Sequence, residues 1–258
     1  MITERNWYNV RADFLSAEPF HHAVIDNFFT PEVADKLFAE FPAYDSDQWI
    51  YYHNALEDKK TCNHWDKIPL TTYRVFEYLN SPAFVDLLTA ATGIQDLKGD
   101  IGLHGGGWHA HSKGGKNNVH LDYDIHPKMG MQRKLNIIVY MTPQWESSWG
   151  GGLELWNHNE KTGRPDKMVK LVENKFNRAV VFDTTQNSWH GLPKELSCPI
   201  GVVRRSLAVY YLTTPPATAT DRKKALFAPY GDQANDPAVL ELIKKRVSLD
   251  QASQVYRK

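Results

Sequence analysis

Asn118-Val119-His120-Leu121-Asp122-Tyr123-Asp124-Ile125 is the stretch on which the reading of this chain turns. Val119, Leu121, Tyr123 and Ile125 alternate with His120, Asp122 and Asp124, the period-two pattern of a strand with one apolar and one polar face. Side chains two apart on a strand point the same way, so His120 and Asp122 are expected to project together at one spot. A strand is predicted over 119–125, with further strands over 135–141, 152–156, 179–183 and 204–212. Gly105-Gly106-Gly107, Gly114-Gly115 and Gly150-Gly151-Gly152 punctuate them. Short strands parted by glycine turns indicate a mainly β protein with flanking helices, a double-sheet jelly roll whose mouth can hold a ligand.

Outward from this core, about 97–214, the grammar changes. Upstream, about 20–96, Thr30-Pro31 and Ser81-Pro82 each place a capping residue before a proline, the signature of a helix start. Val33, Leu37 and Phe41 share one helical stripe before Pro42. Phe84, Leu87, Leu88 and Ala91 form another before Gly93. The segment 45–67, with Trp49, Tyr51, Tyr52 and Trp65 among charges, has weak periodicity and reads either as a loop or lid near a site or, more commonly for such a pattern, as an ordinary irregular surface segment. Downstream, about 215–258, Asp236-Pro237 opens a helix with Val239, Leu240, Ile243 and Val247 on one face. One catalytic domain over 1–258, a β core with helical flanks, is the economical reading.

Composition narrows the function classes. The 258 residues are 42% hydrophobic and 23% charged, the balance of a soluble globular chain with a sizeable core. Lys+Arg and Asp+Glu are 30 each, which argues against a nucleic-acid binder held by phosphate neutralisation. The first residues lack an apolar signal region, and no membrane-length apolar run occurs, so a cytoplasmic setting with no membrane partner is expected. Cys62 and Cys198 stand far apart and read as free thiols.

A second histidine completes the polar-face pair. His190, in Trp189-His190-Gly191, follows the apolar strand Ala179-Val180-Val181-Phe182, where a neighbouring strand should end. Two imidazoles and one carboxylate on one side of a metal leave positions open for substrates, the donor set of non-heme Fe(II) oxygen chemistry. Arg204 and Ser206 share a strand face with Ala208 and Tyr210, while Arg205, Leu207, Val209 and Tyr211 share the other. Arg204 with Ser206 is thus the better anchor for a co-substrate carboxylate. Tyr140, in Leu135-Asn136-Ile137-Ile138-Val139-Tyr140, either reaches the same carboxylate or packs in the core. Asp124 and His126 either orient a ligand or are plain polar residues, and His104, His109, His111 and His158 read as structural or surface groups. Trp49, Tyr51, Trp108, Trp149 and Trp189 either line a pocket or pack. Two rival functions stay open: a zinc hydrolase, because the same trio suits catalytic zinc, and a cupin-like binding protein without turnover.

In their order along the chain, His120-x-Asp122, His190 and Arg204-x-Ser206 resemble the 2-oxoglutarate/Fe(II)-dependent dioxygenases, specifically the prolyl 4-hydroxylase-like branch. Val139-Tyr140-Met141-Thr142-Pro143-Gln144-Trp145, followed by Gly151-Gly152-Leu153-Glu154-Leu155, is similar to that family's strand, turn and Gly-Gly-x-Leu strand. Val24-Ile25-Asp26-Asn27-Phe28-Phe29 resembles its usual opening. The resemblance covers roughly 20–214. It implies a double-stranded β-helix with helices outside the larger sheet, and Fe(II) on His120, Asp122 and His190. It implies 2-oxoglutarate held at its far carboxylate by Arg204, Ser206 and Tyr140, with O2 as oxidant and ascorbate as reductant. The implied reaction hydroxylates an unactivated C–H bond of an amino-acid, peptidyl or small-metabolite substrate, releasing succinate and CO2. Asp122 stands where halogenating relatives carry a small residue, which implies hydroxylation. Trp189 and Ile125-His126-Pro127 depart from the family pattern, so "prolyl" describes the scaffold and leaves the substrate and the oligomeric state open.

Overall fold

The structure is a computed structural model and describes residues 1–255. Its N-terminal third contains α1 (Trp7–Ser16), β1 (His22–Ile25), α2 (Pro31–Ala39), β2 (Ile50–His53), β3 (Glu57–Cys62), α3 (Leu70–Leu79) and α4 (Pro82–Thr92). The centre is nearly all strand: β4 (Lys98–Gly99), β5 (Gly107–His111), β6 (Lys116–Leu121), β7 (Gln132–Tyr140), β8 (Leu153–Asn159), β9 (Arg164–Val172), β10 (Ala179–Asp183), β11 (Trp189–Leu192) and β12 (Arg204–Thr213). The chain then adds β13 (Leu226–Phe227) and α5 (Pro237–Val247). No helix among the described residues is long and apolar enough to cross a membrane.

Antiparallel pairing runs in the order β1-β10-β7-β12-β5-β3-β6-β11-β8-β9. The sheet curls on itself into a nearly closed jelly roll, mainly β with flanking helices. Side-chain alternation assigns its two faces. Leu135, Ile137 and Val139 of β7 and Leu207, Val209 and Tyr211 of β12 face outward into one apolar core with Phe14, Leu37, Phe76, Phe84 and Leu88 of α1–α4. Asn136 and Ile138 of β7 and Arg204, Ser206, Ala208 and Tyr210 of β12 face a cavity inside the roll. Burying one Leu or Phe contributes roughly 1.5–3 kcal/mol, so the helical layer fixes which way β7 and β12 point, and thereby which polar groups reach the interior.

The helix-start signals behave differently from one another. Ser81 Oγ accepts from the Phe84 N–H at 3.4 Å, and Gly93 ends α4 at φ 76°, a left-handed geometry that glycine adopts without strain. Asp236 caps α5 through the Ala238 and Val239 N–H groups. Thr30 makes no side-chain cap, and α2 stops at Ala39, short of Pro42. Three expectations need correction. Residues 45–67 are not irregular throughout: β2 and β3 form a hairpin within them, and β3 bridges β5 and β6, joining the two halves of the roll. The helical N-terminal part therefore supplies three strands, and α1 begins before residue 20. The C-terminal helical extension contains β13, which pairs with β6 beside His120.

Asp26 ties β1 to the turn before β10: Arg178 donates to it at 2.6 and 3.1 Å and Lys175 at 2.9 Å. The Arg178 hydrogen bonds hold its carboxyl at about 2, below its usual 3.8. A carboxylate with a lowered folded-state pKa stabilises above its unfolded value and loses that contribution as pH falls from about 4 to 2. Asp26→Asn is expected to cost up to about 1 kcal/mol at neutral pH, because the pair is partly exposed. The same variant should cost nothing below pH 2, as read by urea melts at both pH values.

Candidate metal and co-substrate site

β6 and β11 are antiparallel neighbours, and His120 and His190 are direct partners across the pair, their ring centroids 4.5 Å apart. β6 ends at Leu121, so Asp122 lies just beyond the strand and not within it. Its carboxylate nevertheless turns back: Oδ1 is 3.7 Å from His120 Nε2 and Oδ2 is 3.9 Å from His190 Nε2. Ligand atoms of all three lie within 4.8 Å of one another, and all three side chains are buried.

Several observations show that this trio fits a divalent metal. His120 Nδ1 lies 2.8 Å from the Asn118 carbonyl and His190 Nδ1 2.8 Å from the Ser188 carbonyl. Each Nδ1–H therefore donates to backbone, which leaves each Nε2 lone pair free and aimed at the common point. Burial and the neighbouring His120 push His190 down to about 4, so it is a neutral donor at physiological pH. Burial alone would raise the Asp122 carboxyl, but its neighbours, His120 first and then the Arg133 charge, outweigh burial and keep it ionised. Asp122 Oδ2 is buried with no hydrogen-bond partner among the described residues, a costly state unless a cation shares the site. Two neutral imidazoles and one carboxylate are the facial donor set of non-heme Fe(II).

Arg133 of β7 had no signal in the sequence. Its guanidinium is sandwiched between Tyr123 and Tyr210, 3.4 and 3.3 Å from their ring centroids. Nη1 lies 3.6 Å from Asp122 Oδ1, and Nη2 donates to the His104 carbonyl at 2.6 Å. Arg222 donates from Nε and Nη2 to the Asp122 backbone carbonyl at 3.1 and 2.8 Å. Phe227 of β13 stacks on His120 with centroids 5.0 Å apart, and Phe182 meets His190 edge-on at 4.7 Å. Asp122 is thus held from both the core and the C-terminal segment.

A cavity of about 630 Å³ opens from the trio, in the size range of small-molecule sites. Arg204 and Ser206 line it, with Arg204 Nε donating to the Gly151 carbonyl at 2.7 Å and Nη1 3.5 Å from Ser206 Oγ. Arg205 points the other way, 4.8 Å over the Phe38 ring of α2. Tyr140 stands behind Arg204, with that guanidinium 5.1 Å from its ring; its hydroxyl lies 3.5 Å from the Val172 carbonyl, and it is not part of the cavity wall. His109 and His111 are wall residues and not surface groups: on β5 they face Ser206 and Arg204 across the pair. His109 Nε2 and both ring nitrogens of His111 are buried without a partner among the described residues. Burial, helped by Lys59 and Arg204, drives both histidines well below their usual range, His109 to about 3. His104 also lines the cavity.

Other candidates lie elsewhere. Asp124 accepts from Gln132 Nε2 at 2.9 Å and from Thr220 N and Oγ1 at 2.7 Å, pinning the segment that follows β12. The His126 Nδ1 accepts from the Lys128 and Met129 N–H groups, closing a turn. Tyr51 and Tyr52 line the cavity mouth, whereas Trp49 packs with Trp108, Trp149 with Trp145, and Trp189 in a small core with Val119 and Leu121.

Comparison with known proteins finds what this chain is similar to. Residues 106–212 match the 2OG-Fe(II) oxygenase superfamily. A prolyl 3-hydroxylase of Xenopus laevis, OGFOD1, is 32% identical over 65 residues, which are 25% of this chain and 12% of that protein. Only that small share of the curated relative's length is spanned. Among solved structures, a Pseudomonas putida prolyl-4-hydroxylase superposes with TM-score 0.53 at 18% identity, covering 79% of this chain and 98% of that one. A Trichoplax adhaerens prolyl hydroxylase, solved with a hypoxia inducible factor peptide fragment, gives TM-score 0.53 at 17% identity over 81% and 94% of the two chains. A prolyl 4-hydroxylase from Phytophthora capsici gives 0.54 at 18% identity over 99% and 83%. At such identities these structures establish the shared fold.

Proposed function

We propose that this chain, a member of the 2OG-Fe(II) oxygenase superfamily through residues 106–212, hydroxylates an unactivated C–H bond of an amino-acid, peptidyl or small-metabolite substrate at the expense of 2-oxoglutarate. One observation carries the reading: His120, Asp122 and His190 converge within a single cavity that also holds Arg204 and Ser206. His120, Asp122 and His190 would hold Fe(II), and Arg204 with Ser206 the distal carboxylate of 2-oxoglutarate. When bound together, iron and 2-oxoglutarate supply the oxidising power for the C–H bond, with O2 consumed and succinate and CO2 released. The chain's own part is placement and exclusion of water. The Asn118 and Ser188 carbonyls orient the two imidazoles, Arg133 and Arg222 fix Asp122, and Phe227 and Phe182 wall the histidines from solvent. Ascorbate as reductant and a cytoplasmic setting belong to the same proposal. A zinc hydrolase would use the same trio but would leave the buried Arg204–Ser206 pair without a role.

The test is a screen of amino acids and peptides under labelled dioxygen, read by succinate release and by product mass. Stimulated succinate with one labelled oxygen atom in the product is expected; hydrolysed product without label would overturn the proposal. Arg204→Ala is expected to raise the 2-oxoglutarate requirement about thirtyfold, the loss of one charge-assisted interaction of about 2 kcal/mol. Arg205→Ala should leave it unchanged, as titration of succinate release against 2-oxoglutarate will show.

A further inference from the structure

The cavity mouth carries charge that neither the metal trio nor the co-substrate acid uses. The whole chain is neutral, with 30 basic and 30 acidic residues. Among the described residues, its cavity wall nonetheless holds Lys59, Arg133, Arg204, Lys223, Lys224 and Arg246 against a single acidic side chain, Asp122. Arg133 lies against Asp122, Arg204 sits beside Ser206, and Lys223 pairs with Asp221 at 3.2 Å. Of the remaining three, Lys59 and Arg246 share one carboxylate. Glu57, fully buried, lies 3.1 Å from Lys59 Nζ and 2.9 Å from Arg246 Nε. Lys224 has no carboxylate partner among the described residues; its ammonium is depressed by burial and then by Arg246, a like charge close by. Lys59 on β3 and Lys224, just before β13, both line the cavity into which His120, Asp122 and His190 face. These two ammonium groups therefore reach the space beside the trio from different elements.

We propose that the primary substrate is an anion whose carboxylate or phosphate seats among Lys59, Lys224 and Arg246, presenting its C–H bond toward His120, Asp122 and His190. This rests on the oxygenase reading of the same site. A neutral substrate would leave a surplus of positive charge enclosed in a partly desolvated cavity, whereas an anion offsets it and gains charge-assisted hydrogen bonds. Tyr51 and Tyr52 of β2 supply an aromatic wall for the carbon skeleton.

The test uses the Fe(II)-loaded full chain with 2-oxoglutarate and probes matched in shape but not in charge. The pairs are the N-acetyl α-amides of aspartate and asparagine, the N-acetyl α-amides of phosphoserine and serine, and a short acidic peptide with its fully amidated twin, which separates small-molecule from peptidyl sources. Only anionic members are expected to raise succinate above the probe-free rate, and less so at high salt. Lys224→Glu, at a partly buried position, should raise the anion concentration for half-maximal stimulation at least about tenfold; Lys59→Gln provides a second variant. Absence of any probe-free succinate would sink the oxygenase reading itself. Probe-free succinate with equal stimulation by neutral members, or with no stimulation by any probe, overturns the anion inference alone. So does an anion preference that survives both substitutions unchanged.

Discussion

Asp122→Ala is expected to abolish succinate formation, and His120→Ala to do the same. The trio offers three donors within 4.8 Å of one another, and the carboxylate is the only anionic one. Without it, two neutral imidazoles face a divalent cation in a buried site that also contains the Arg133 charge. Loss of even an outer partner of a metal ligand typically costs 10–100-fold in affinity or activity, so loss of a ligand should exceed about a hundredfold. Metal binding provides the independent readout: equilibrium dialysis should find one Fe(II) per wild-type chain and far less in either variant. A variant that keeps full activity and full metal content removes that residue from the ligand set.

Arg133→Met is expected to destabilise the metal-free chain by about 3–5 kcal/mol, the usual cost of leaving one partner of a buried ion pair unpaired. Arg133 is 2% exposed and Asp122 6%. Methionine keeps an apolar stem between Tyr123 and Tyr210 but removes the charge 3.6 Å from the carboxylate. A bound divalent cation replaces part of that charge. Adding Mn(II) should therefore raise the melting temperature of Arg133→Met more than that of wild type, provided the variant binds metal as tightly. Equal metal-induced shifts would show that Arg133 serves the Tyr123–Tyr210 stack and not Asp122.

Much of the architecture was legible because two faces of β7 and β12 differ so sharply. Leu135, Ile137 and Val139 alternate with Asn136, Ile138 and Tyr140, and Leu207, Val209 and Tyr211 with Arg204, Ser206 and Tyr210. That period of two is a local property and survives folding. The hairpin β2–β3 was illegible for the opposite reason. Glu57-Asp58-Lys59-Lys60-Thr61 has no apolar alternation, since Lys59 and Thr61 line the cavity, Asp58 and Lys60 are partly exposed, and buried Glu57 is held in ion pairs with Lys59 and Arg246. His109 and His111 belong to Gly107-Trp108-His109-Ala110-His111, a strand too short to announce itself after a glycine run. Gly107 is required there, at φ 89°, because a Cβ would collide with the Cys62 carbonyl of β3. Arg133 and Arg222 lie 11 and 100 residues from Asp122, and nothing in spacing predicts contacts that only the closed roll creates. Tyr140 shows the limit of face assignment. It shares the inward register, yet Arg204 lies between its ring and the cavity.

The most direct measurement is the fate of labelled 2-oxoglutarate incubated in air with the folded chain and no added substrate or probe. The account predicts succinate and CO2 in equal amounts, formed with Fe(II), not with Zn(II), and not by Asp122→Ala. A folded, Fe(II)-loaded chain that leaves 2-oxoglutarate intact, or that converts it equally well with zinc, would contradict the account at its centre.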